Sequence, residues 1–201
     1  MADEGAGAEV RRRGPNSSTP ARRAQLARAA LESFAEHGYE RASLRDIAAR
    51  AGVTHAAVLR HYADKDELLV AALELRDQED AAVSERLQDA HATRSEIIDA
   101  IFRQEFADPG LQRNWLALTI AATHPDHPAH DFFVRRRERM RANFRDTVLV
   151  GTGEEVLTAS DKVTLLQALV DGARIQSLLD PERDVLHLVE VVLGLVAGPS
   201  D

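Results

Sequence analysis

The sequence contains no cysteine, and this absence removes several classes of protein at once. Disulfide frameworks, thiolate zinc sites and cysteine nucleophiles are excluded, which fits a reducing compartment. No apolar run is long enough to span a bilayer, and the N-terminus lacks the apolar segment of a signal peptide. We therefore expect a cytoplasmic protein without a membrane partner.

Lysine is nearly absent as well, since only Lys65 and Lys162 occur among the 25 basic residues. The formal net charge of −8 argues against a uniformly basic nucleic-acid binder, but the charge is unevenly distributed. Residues 10–63 hold ten arginines against four acidic residues, whereas the remainder of the chain is strongly acidic. A basic head on an acidic body can carry a local phosphate-binding surface.

Apolar residues recur at helical spacing along most of the chain, and we find no convincing strand pattern. Capping and breaking residues divide the pattern into about nine helices, one of them over residues 97–107. Gly38 ends the first helix, while Pro128 and Ser160 open two later ones. The prediction is an all-α fold in three parts: a disordered basic tail at 1–19, a three-helix head at 20–66, and a helical body at 67–199.

The segment 43–62, SLRDIAARAGVTHAAVLRHY, has the pattern of a helix-turn-helix. Two short helices that cross steeply need a small residue midway along the first helix, a glycine in the turn and apolar inner faces. Ala48 and Gly52 meet the first two requirements. The inner faces carry Ile47, Ala51, Val53 and Val58. The second helix would present its outer N-terminal face to base edges in the major groove, while two packed helices without DNA are the alternative.

The longer stretch 21–69, from ARRAQLARAALESFAEHGYERASLRDIAARAG to VTHAAVLRHYADKDELL, resembles the DNA-binding head of the tetracycline-repressor (TetR) family over its whole length. The most specific features are the Gly-Tyr pair after the first helix, the AGVT turn and the His-Tyr pair at 61–62. The resemblance implies a DNA-binding transcriptional regulator with a variable all-helical body.

The resemblance also implies roles for eight residues of the head. Those expected to contact phosphates are Ser43, Thr54, His61 and Lys65. Those expected to reach base edges are Arg45, His55, Ala56 and Arg60. Two positions depart from the family pattern, because Leu59 replaces a common tyrosine and Ala56-Ala57 replace a common Gly-Thr pair. Leu59 cannot form a hydrogen bond, whereas the alanines can contact a thymine methyl group.

The arginine-rich tail before the head, RRRGPNSSTPARR, has two interpretations. It can lie in the minor groove beside the recognition helix, as arginine arms do in other DNA-binding proteins. It can instead be a solvated segment that adds affinity for any DNA sequence. The second interpretation is favoured, because the composition of the tail is that of a disordered segment.

In the segment 185–197, VLHLVEVVLGLVA, apolar residues cover most of the helix circumference, so this helix must be buried on several sides. The preceding helix carries apolar residues at matching spacing. We predict that residues 160–197 of two copies pair into a four-helix bundle, and the family resemblance implies the same homodimer. A monomer that buries both helices internally is the alternative. A two-fold dimer would bind a near-palindromic operator.

The middle helices contain apolar and polar residues that can line a pocket for a small amphipathic effector. The candidates are Phe102, Trp115, Thr119, Phe133, Arg137, Met140 and Gln176. Ordinary core packing is the competing interpretation for each of them. The resemblance implies that effector binding tilts the heads and releases the operator, which describes a ligand-responsive repressor.

The stretch HPDHPAHD at 124–131 raises the question of a metal site. The prolines favour a junction between two helices, and His127, His130 and Asp131 have no identifiable third or fourth partner elsewhere in the sequence. No phosphate-binding glycine loop or nucleophile elbow occurs either. We predict no enzymatic activity, no cofactor and no bound metal. A metal-dependent enzyme or sensor, and a helical interaction protein with a degenerate head, are the alternatives.

Overall fold

The structure, a computed structural model, describes residues 19–90, 96, 99, 100, 103, 106–147 and 158–197, and helices are the only regular elements in these ranges. Eight helices have defined bounds: α1 (Thr19–His37), α2 (Leu44–Arg50), α3 (His55–Leu59), α4 (Lys65–Asp89), α5 (Pro109–Ala121), α6 (His130–Thr147), α7 (Ala159–Leu179) and α8 (Val185–Ala197). The prediction of an all-α fold is confirmed.

The ninth predicted helix, over 97–107, lies mostly outside the described residues, although its described positions 99, 100, 103 and 106 are helical. The predicted N-terminal tail also lies outside the described residues, except for Thr19, which is already the first residue of α1. No helix of the described ranges combines the length and the hydropathy that a membrane crossing needs.

α1 is the scaffold of the head and packs against α2, α4 and α5. It ends where the sequence predicts, because Gly38 adopts a left-handed φ of 77° and its N–H donates to the Phe34 carbonyl at 2.8 Å. A residue with a β-carbon is strained in this conformation, so the stop signal is encoded locally. The buried face of α1 carries Leu26, Ala27, Ala29, Ala30, Ser33 and Phe34.

One hydrophobic core joins the head to the body. It runs from Phe34 of α1 through Leu69 and Leu73 of α4 to Trp115 of α5 and Phe132 of α6. The backbones of α1 and α5 approach closely, because a β-carbon added at Gly110 would lie 3.1 Å from the Ala35 carbonyl oxygen. The predicted boundary at residue 66 falls on the second residue of α4, a helix that continues from the head into the body.

A second, smaller core lies between α7 and α8 and contains Leu166, Val170, Ala173, Val185 and Val189. Two predicted helix starts are corrected by the structure. α7 begins one residue before Ser160, because Thr158 and Asp161 form a capping box. α6 begins at His130 instead of Pro128, because a turn precedes it in which the His130 N–H donates to the His127 carbonyl at 2.8 Å.

Candidate nucleic-acid interface

α2 and α3 form the predicted helix-turn-helix. Gly52 occupies the turn with a left-handed φ of 66°, and the next N–H, that of Val53, donates to the Ala48 carbonyl at 2.9 Å. Ile47, Ala48 and Val58 are fully buried on the inner faces, as the apolar pattern predicts. The packing of α2 against α3 therefore follows from a glycine, an alanine and their apolar neighbours.

Both hydroxyl residues predicted to contact phosphates are helix N-caps. Ser43 Oγ accepts from the Asp46 N–H at 3.2 Å, and its own proton goes to Asp46 Oδ2 at 2.6 Å. Thr54 Oγ1 accepts from the Ala57 N–H at 3.2 Å. Among the described residues Thr54 donates its proton to no acceptor, so this hydroxyl can also donate to a phosphate, whereas Ser43 would first have to release Asp46.

α1 holds the far end of the recognition helix in place. Tyr62 is buried, and its hydroxyl donates to the Arg23 carbonyl at 2.9 Å. The Arg23 guanidinium lies 4.1 Å from the centre of the Tyr62 ring and donates to the His61 carbonyl. Gln25 reaches the turn itself, where its amide donates to the Ala51 carbonyl at 3.0 Å. Burial of the phenol raises the pKa of Tyr62, so it stays a neutral donor.

The outer surfaces of α2 and α3 carry unpaired positive charge. Arg45 and Arg60 are exposed, and neither has an ion-pair partner among the described residues. Other arginines of the head are neutralised, since Arg28 pairs with Glu79 at 2.6 Å and Arg50 contacts two glutamates of α1. Within the described part of the chain, Arg22 and Arg41 also have no carboxylate partner, but they donate to the Gln25 amide oxygen and the His37 carbonyl. Arg45 and Arg60 are therefore the charges on the helix-turn-helix that can meet a polyanion.

The four predicted base-contacting positions and Leu59 lie at or near this outer surface. Ala56 is exposed like Arg45 and Arg60, and His55 is half-buried. Leu59 exposes 44% of its surface. Leu59 stands where the family resemblance implies a tyrosine. If this surface meets DNA, it does so without the tyrosine hydroxyl.

Lys65 has a different environment from the one its resemblance implies. Its ammonium donates to the carbonyls of Tyr39, Glu40 and Ala42 at 3.0, 3.3 and 3.4 Å. It also lies 4.2 Å from the centre of the Tyr39 ring. The ammonium thus closes the loop between α1 and α2 onto α4, and a phosphate contact would require it to leave three carbonyls. At this helix start the Glu67 N–H already donates to Asp64 Oδ1 at 2.8 Å.

Two family models cover most of the chain. Residues 26–72 match the bacterial regulatory proteins of the tetR family, and residues 90–194 match the C-terminal part of BetI-type transcriptional repressors. The chain belongs to the TetR family. The resemblance found in the head is confirmed, and this TetR-family protein is a DNA-binding transcriptional regulator.

Individual relatives of this TetR-family protein agree with the family match. An HTH-type transcriptional repressor of Mycobacterium tuberculosis is 30% identical over 187 residues, which cover 85% of this chain and 91% of that protein. A transcriptional regulator structure from Pseudomonas aeruginosa aligns with a TM-score of 0.65 at 29% identity and covers 91% of this chain and 94% of that chain. The regulator FadR of Bacillus subtilis, solved with stearoyl-CoA, shares the fold, with a TM-score of 0.64 at 18% identity over 88% of this chain and 98% of that chain.

The predicted effector residues of the TetR-family body separate into two groups. Trp115 and Phe133 are buried, with their ring centres 5.1 Å apart, and Thr119 follows one turn after Trp115. Arg137 is half-exposed beside Asp171, and Gln176 is exposed, which does not suit a pocket-lining residue.

Two further predicted effector residues complete the set. Met140 is half-buried, and its sulfur accepts from Arg136 at 3.3 Å. Phe102 lies outside the described residues. The residue that sequence reasoning missed is Arg136, which neighbours Arg137 on α6 and points inward instead. Successive residues of a helix are about 100° apart, so a shift of one position separates an interior side chain from an exposed one.

The HPDHPAHD stretch is the turn between α5 and α6 of this TetR-family protein. His127 Nδ1 accepts from the Ala129 N–H at 3.2 Å, and His130 Nδ1 donates to the Ala122 carbonyl at 2.8 Å. His124 Nδ1 also accepts from the Asp126 N–H at 3.4 Å, so one ring nitrogen of each of the three histidines binds the backbone. Within the described residues no group of three or more histidine or acidic side chains is arranged to hold a metal ion.

Proposed function

We propose that this protein is a dimeric, ligand-responsive repressor that binds a near-palindromic operator and leaves it when a small amphipathic effector enters the body. The observation that carries DNA recognition is the charge of Arg45 and Arg60, which have no ion-pair partner among the described residues and lie on the outer surface of the helix-turn-helix. Arginines in this position can form bidentate hydrogen bonds to guanine in the major groove. His55 and Ala56 complete the base-contacting surface in this proposal.

The dimer proposal rests on apolar surface. Of the eight exposed large apolar side chains among the described residues, five lie on α7 and α8: Leu165, Ile175, Leu179, Leu188 and Val191. Contiguous apolar surface of this kind marks interaction sites. A second copy related by a two-fold axis is the occupant we propose, since the same surface then covers itself. Two recognition helices would be held about one DNA turn apart, roughly 34 Å.

The proposed response to an effector depends on the hydrophobic core that the head and the body share. Because α1, α4 and α5 pack in one continuous core, a shift of the body helices around Trp115 moves the scaffold of the head. The structure of FadR of Bacillus subtilis with stearoyl-CoA supports a small-molecule effector for this fold. An effector that binds the DNA-incompetent arrangement more tightly shifts the population away from the operator-bound one. We assign the protein to the cytoplasm, where a regulator meets chromosomal DNA.

Selection of binding sites from a pool of random duplex DNA tests the proposal without knowledge of the operator. The full-length protein is expected to enrich a near-palindromic sequence with two half-sites about one turn apart. The double variant Arg45→Ala, His55→Ala should lose at least about 100-fold in affinity for that sequence, because each lost base contact costs ~1–3 kcal/mol.

Arg50→Ala is the matched control, because Arg50 is equally basic and lies on the same helix but pairs with Glu32 and Glu36. It should keep affinity within about threefold of the parent protein. Full affinity of the double variant, or enrichment of sequences without two-fold symmetry, would contradict the proposed mode of binding.

A further inference from the structure

A layer of buried polar side chains lies between α5 and α7 of the body. Gln112, Gln167 and Arg174 are 4%, 8% and 5% exposed, and none of them belongs to either apolar cluster. The layer joins α5 to α7, where Ser177 Oγ donates to Gln112 Oε1 at 2.9 Å. Burial of polar groups costs free energy unless each is compensated, so a polar layer in a domain of this size calls for an explanation.

The indole of Trp115, on α5, faces three arginines. The guanidinium carbons of Arg136, Arg76 and Arg174 lie 4.8, 5.6 and 5.9 Å from its centroid and come from α6, α4 and α7. Their side chains are only 17%, 15% and 7% exposed. Carboxylates steady them, since Arg136 contacts Asp77 at 2.9 Å and Arg174 contacts its helix neighbour at 2.9 Å. Arg76 contacts Asp80 at 3.9 Å, so each of these three largely desolvated guanidinium groups has a carboxylate partner. Together they place many N–H donors around one ring.

Within the described ranges, four buried polar atoms of α5, α6 and α7 have no hydrogen-bond partner: Asn114 Oδ1, Thr119 Oγ1, Arg141 Nε and Gln167 Oε1. Thr119 Oγ1, one turn after Trp115 on α5, is buried and unpartnered, and so is Gln167 Oε1 on α7. The amide nitrogen of Gln167 is 3.5 Å from the Met140 sulfur, a weak acceptor that Arg136 also contacts. Native interiors leave few such atoms unsatisfied, and a polar ligand atom is one partner that would satisfy them.

We propose that the body binds an organic anion, with its carboxylate or equivalent acidic group on Arg136 and Arg174 and its apolar part against Trp115. The proposal rests on the proposed function, because it names the chemical class of the effector. Guanidinium groups bind such anions through paired, charge-assisted hydrogen bonds. A quaternary ammonium requires aromatic faces that no other cation occupies, so the arginines around Trp115 disfavour a cationic ligand.

The protein contains a single tryptophan, so intrinsic fluorescence of the full-length chain reports on this site directly. Three probes share a 3-phenylpropyl group and differ in the group that it carries: a carboxylate in 4-phenylbutyrate, a hydroxymethyl in 4-phenylbutanol and a trimethylammoniomethyl in 4-phenylbutyltrimethylammonium. We expect 4-phenylbutyrate to change the tryptophan fluorescence in a saturable way. The alcohol and the ammonium should bind at least about tenfold more weakly. This comparison uses the unaltered protein and does not depend on how a variant folds.

Arginine variants then test which side chains bind the carboxylate. Arg136→Gln and Arg174→Gln should each weaken phenylbutyrate binding about tenfold. Arg135→Gln is the matched control, because Arg135 is the next residue on α6 but its side chain is 52% exposed beside Glu74. The affinity of this control for phenylbutyrate should stay within about twofold of that of the parent protein. Far-ultraviolet circular dichroism checks that each variant retains its helices.

Three results would overturn the proposal: no saturable response to phenylbutyrate up to about 10 mM, binding of the ammonium as tight as that of the carboxylate, or unchanged phenylbutyrate affinity in both arginine variants. DNA binding by the ligand-free protein is measured on the same samples. If the protein binds DNA but not the anion, the ligand class is wrong and the regulator remains. If it binds the anion but no DNA, the proposed function fails and the site remains.

Discussion

The imidazole of His127 packs edge-on against the phenol of Tyr39, with 6.1 Å between ring centroids and 67° between ring planes. His127 belongs to the turn between α5 and α6, whereas Tyr39 belongs to the loop between α1 and α2 of the DNA-binding head. Tyr39 in turn donates to the Asp66 carboxylate and lies under the Lys65 ammonium, both at the start of α4. Burial and the bond to Asp66 raise the pKa of Tyr39, so the phenol stays a neutral donor. The histidine-rich turn is therefore a contact between body and head.

Removal of the imidazole tests this contact. His127→Ala should lower the free energy of unfolding by about 1 kcal/mol, because an aromatic pair contributes ~0.5–1.5 kcal/mol beyond its buried area. Urea denaturation measures the change. His124→Ala is the control, since that ring is 73% exposed in the same turn, and it should have no measurable effect. Equal losses in the two variants would show that the contact with Tyr39 contributes nothing specific.

Leu59 gives a prediction about DNA affinity. Leu59→Tyr supplies a hydroxyl at an exposed position of the recognition helix, where a hydrogen bond to a phosphate should tighten operator binding by roughly tenfold. Fluorescence anisotropy with the selected operator measures the affinity. Leu59→Phe adds the ring without the hydroxyl and should bind like the parent protein. If tyrosine and phenylalanine have the same effect, the gain comes from apolar contact and not from a phosphate bond.

Lys65 distinguishes a structural role from a phosphate contact. Lys65→Met leaves three loop carbonyls without their shared donor, so the free energy of unfolding should fall by about 2 kcal/mol. The slope of log affinity for DNA against log salt concentration should stay unchanged, because the ammonium faces the loop. A slope smaller by about one unit would instead assign the ammonium to a phosphate.

Glu67 makes part of the stability of the head dependent on pH. The Ala63 N–H and the Arg23 side chain donate to its carboxylate and hold its pKa below the ordinary value. The pKa of Glu67 in the unfolded chain is about 4.3. Because its pKa is lower in the folded protein, Glu67 stabilises the fold at pH values above about 4.3, and this stabilisation is lost as the pH falls through the folded pKa. Glu67→Gln should cost less than about 1 kcal/mol near neutral pH, because the side chain is 44% exposed.

The difference between parent and Glu67→Gln, from urea denaturation at several pH values, should shrink steadily below about pH 4.3. Glu85→Gln, at an exposed position of α4, should show no such difference at any pH. A constant difference down to about pH 3 would mean that the amide replaces the carboxylate equally well.

The dimer proposal predicts a specific failure. Leu179→Glu combined with Leu188→Glu should convert the dimer to a monomer, because two buried, unpaired carboxylates cost several kcal/mol at an interface. Size-exclusion chromatography with light scattering measures the mass. Ile120→Glu is the control, since Ile120 is 68% exposed but lies on α5, and this variant should remain a dimer. A dimer that survives the double change would place the interface elsewhere.

The head could be predicted closely because its signals are local. Each signal acts within a few residues of itself. The signals are a glycine with a positive φ, a threonine that accepts from the N–H three residues later, and an alanine at a helix contact. Gly38 ends α1 and Gly52 occupies the turn as predicted, and Thr54 is the N-cap of α3. The error at the start of α7 is also local and amounts to one or two residues. Thr158 and Ser160 can both serve as the N-cap, and the sequence pattern alone does not show which of them does.

The sequence by itself determined the all-α fold, the helix-turn-helix and the basic surface, since periodicity, caps and charge are properties of short segments. Only the tertiary structure decided which charges are free and which are used internally. Lys65 faces loop carbonyls more than twenty residues away, Arg136 and not Arg137 turns toward Trp115, and His127 meets Tyr39. Each of these pairings joins residues that are distant in the chain, and the packing of the helices, not the local pattern, brings them together.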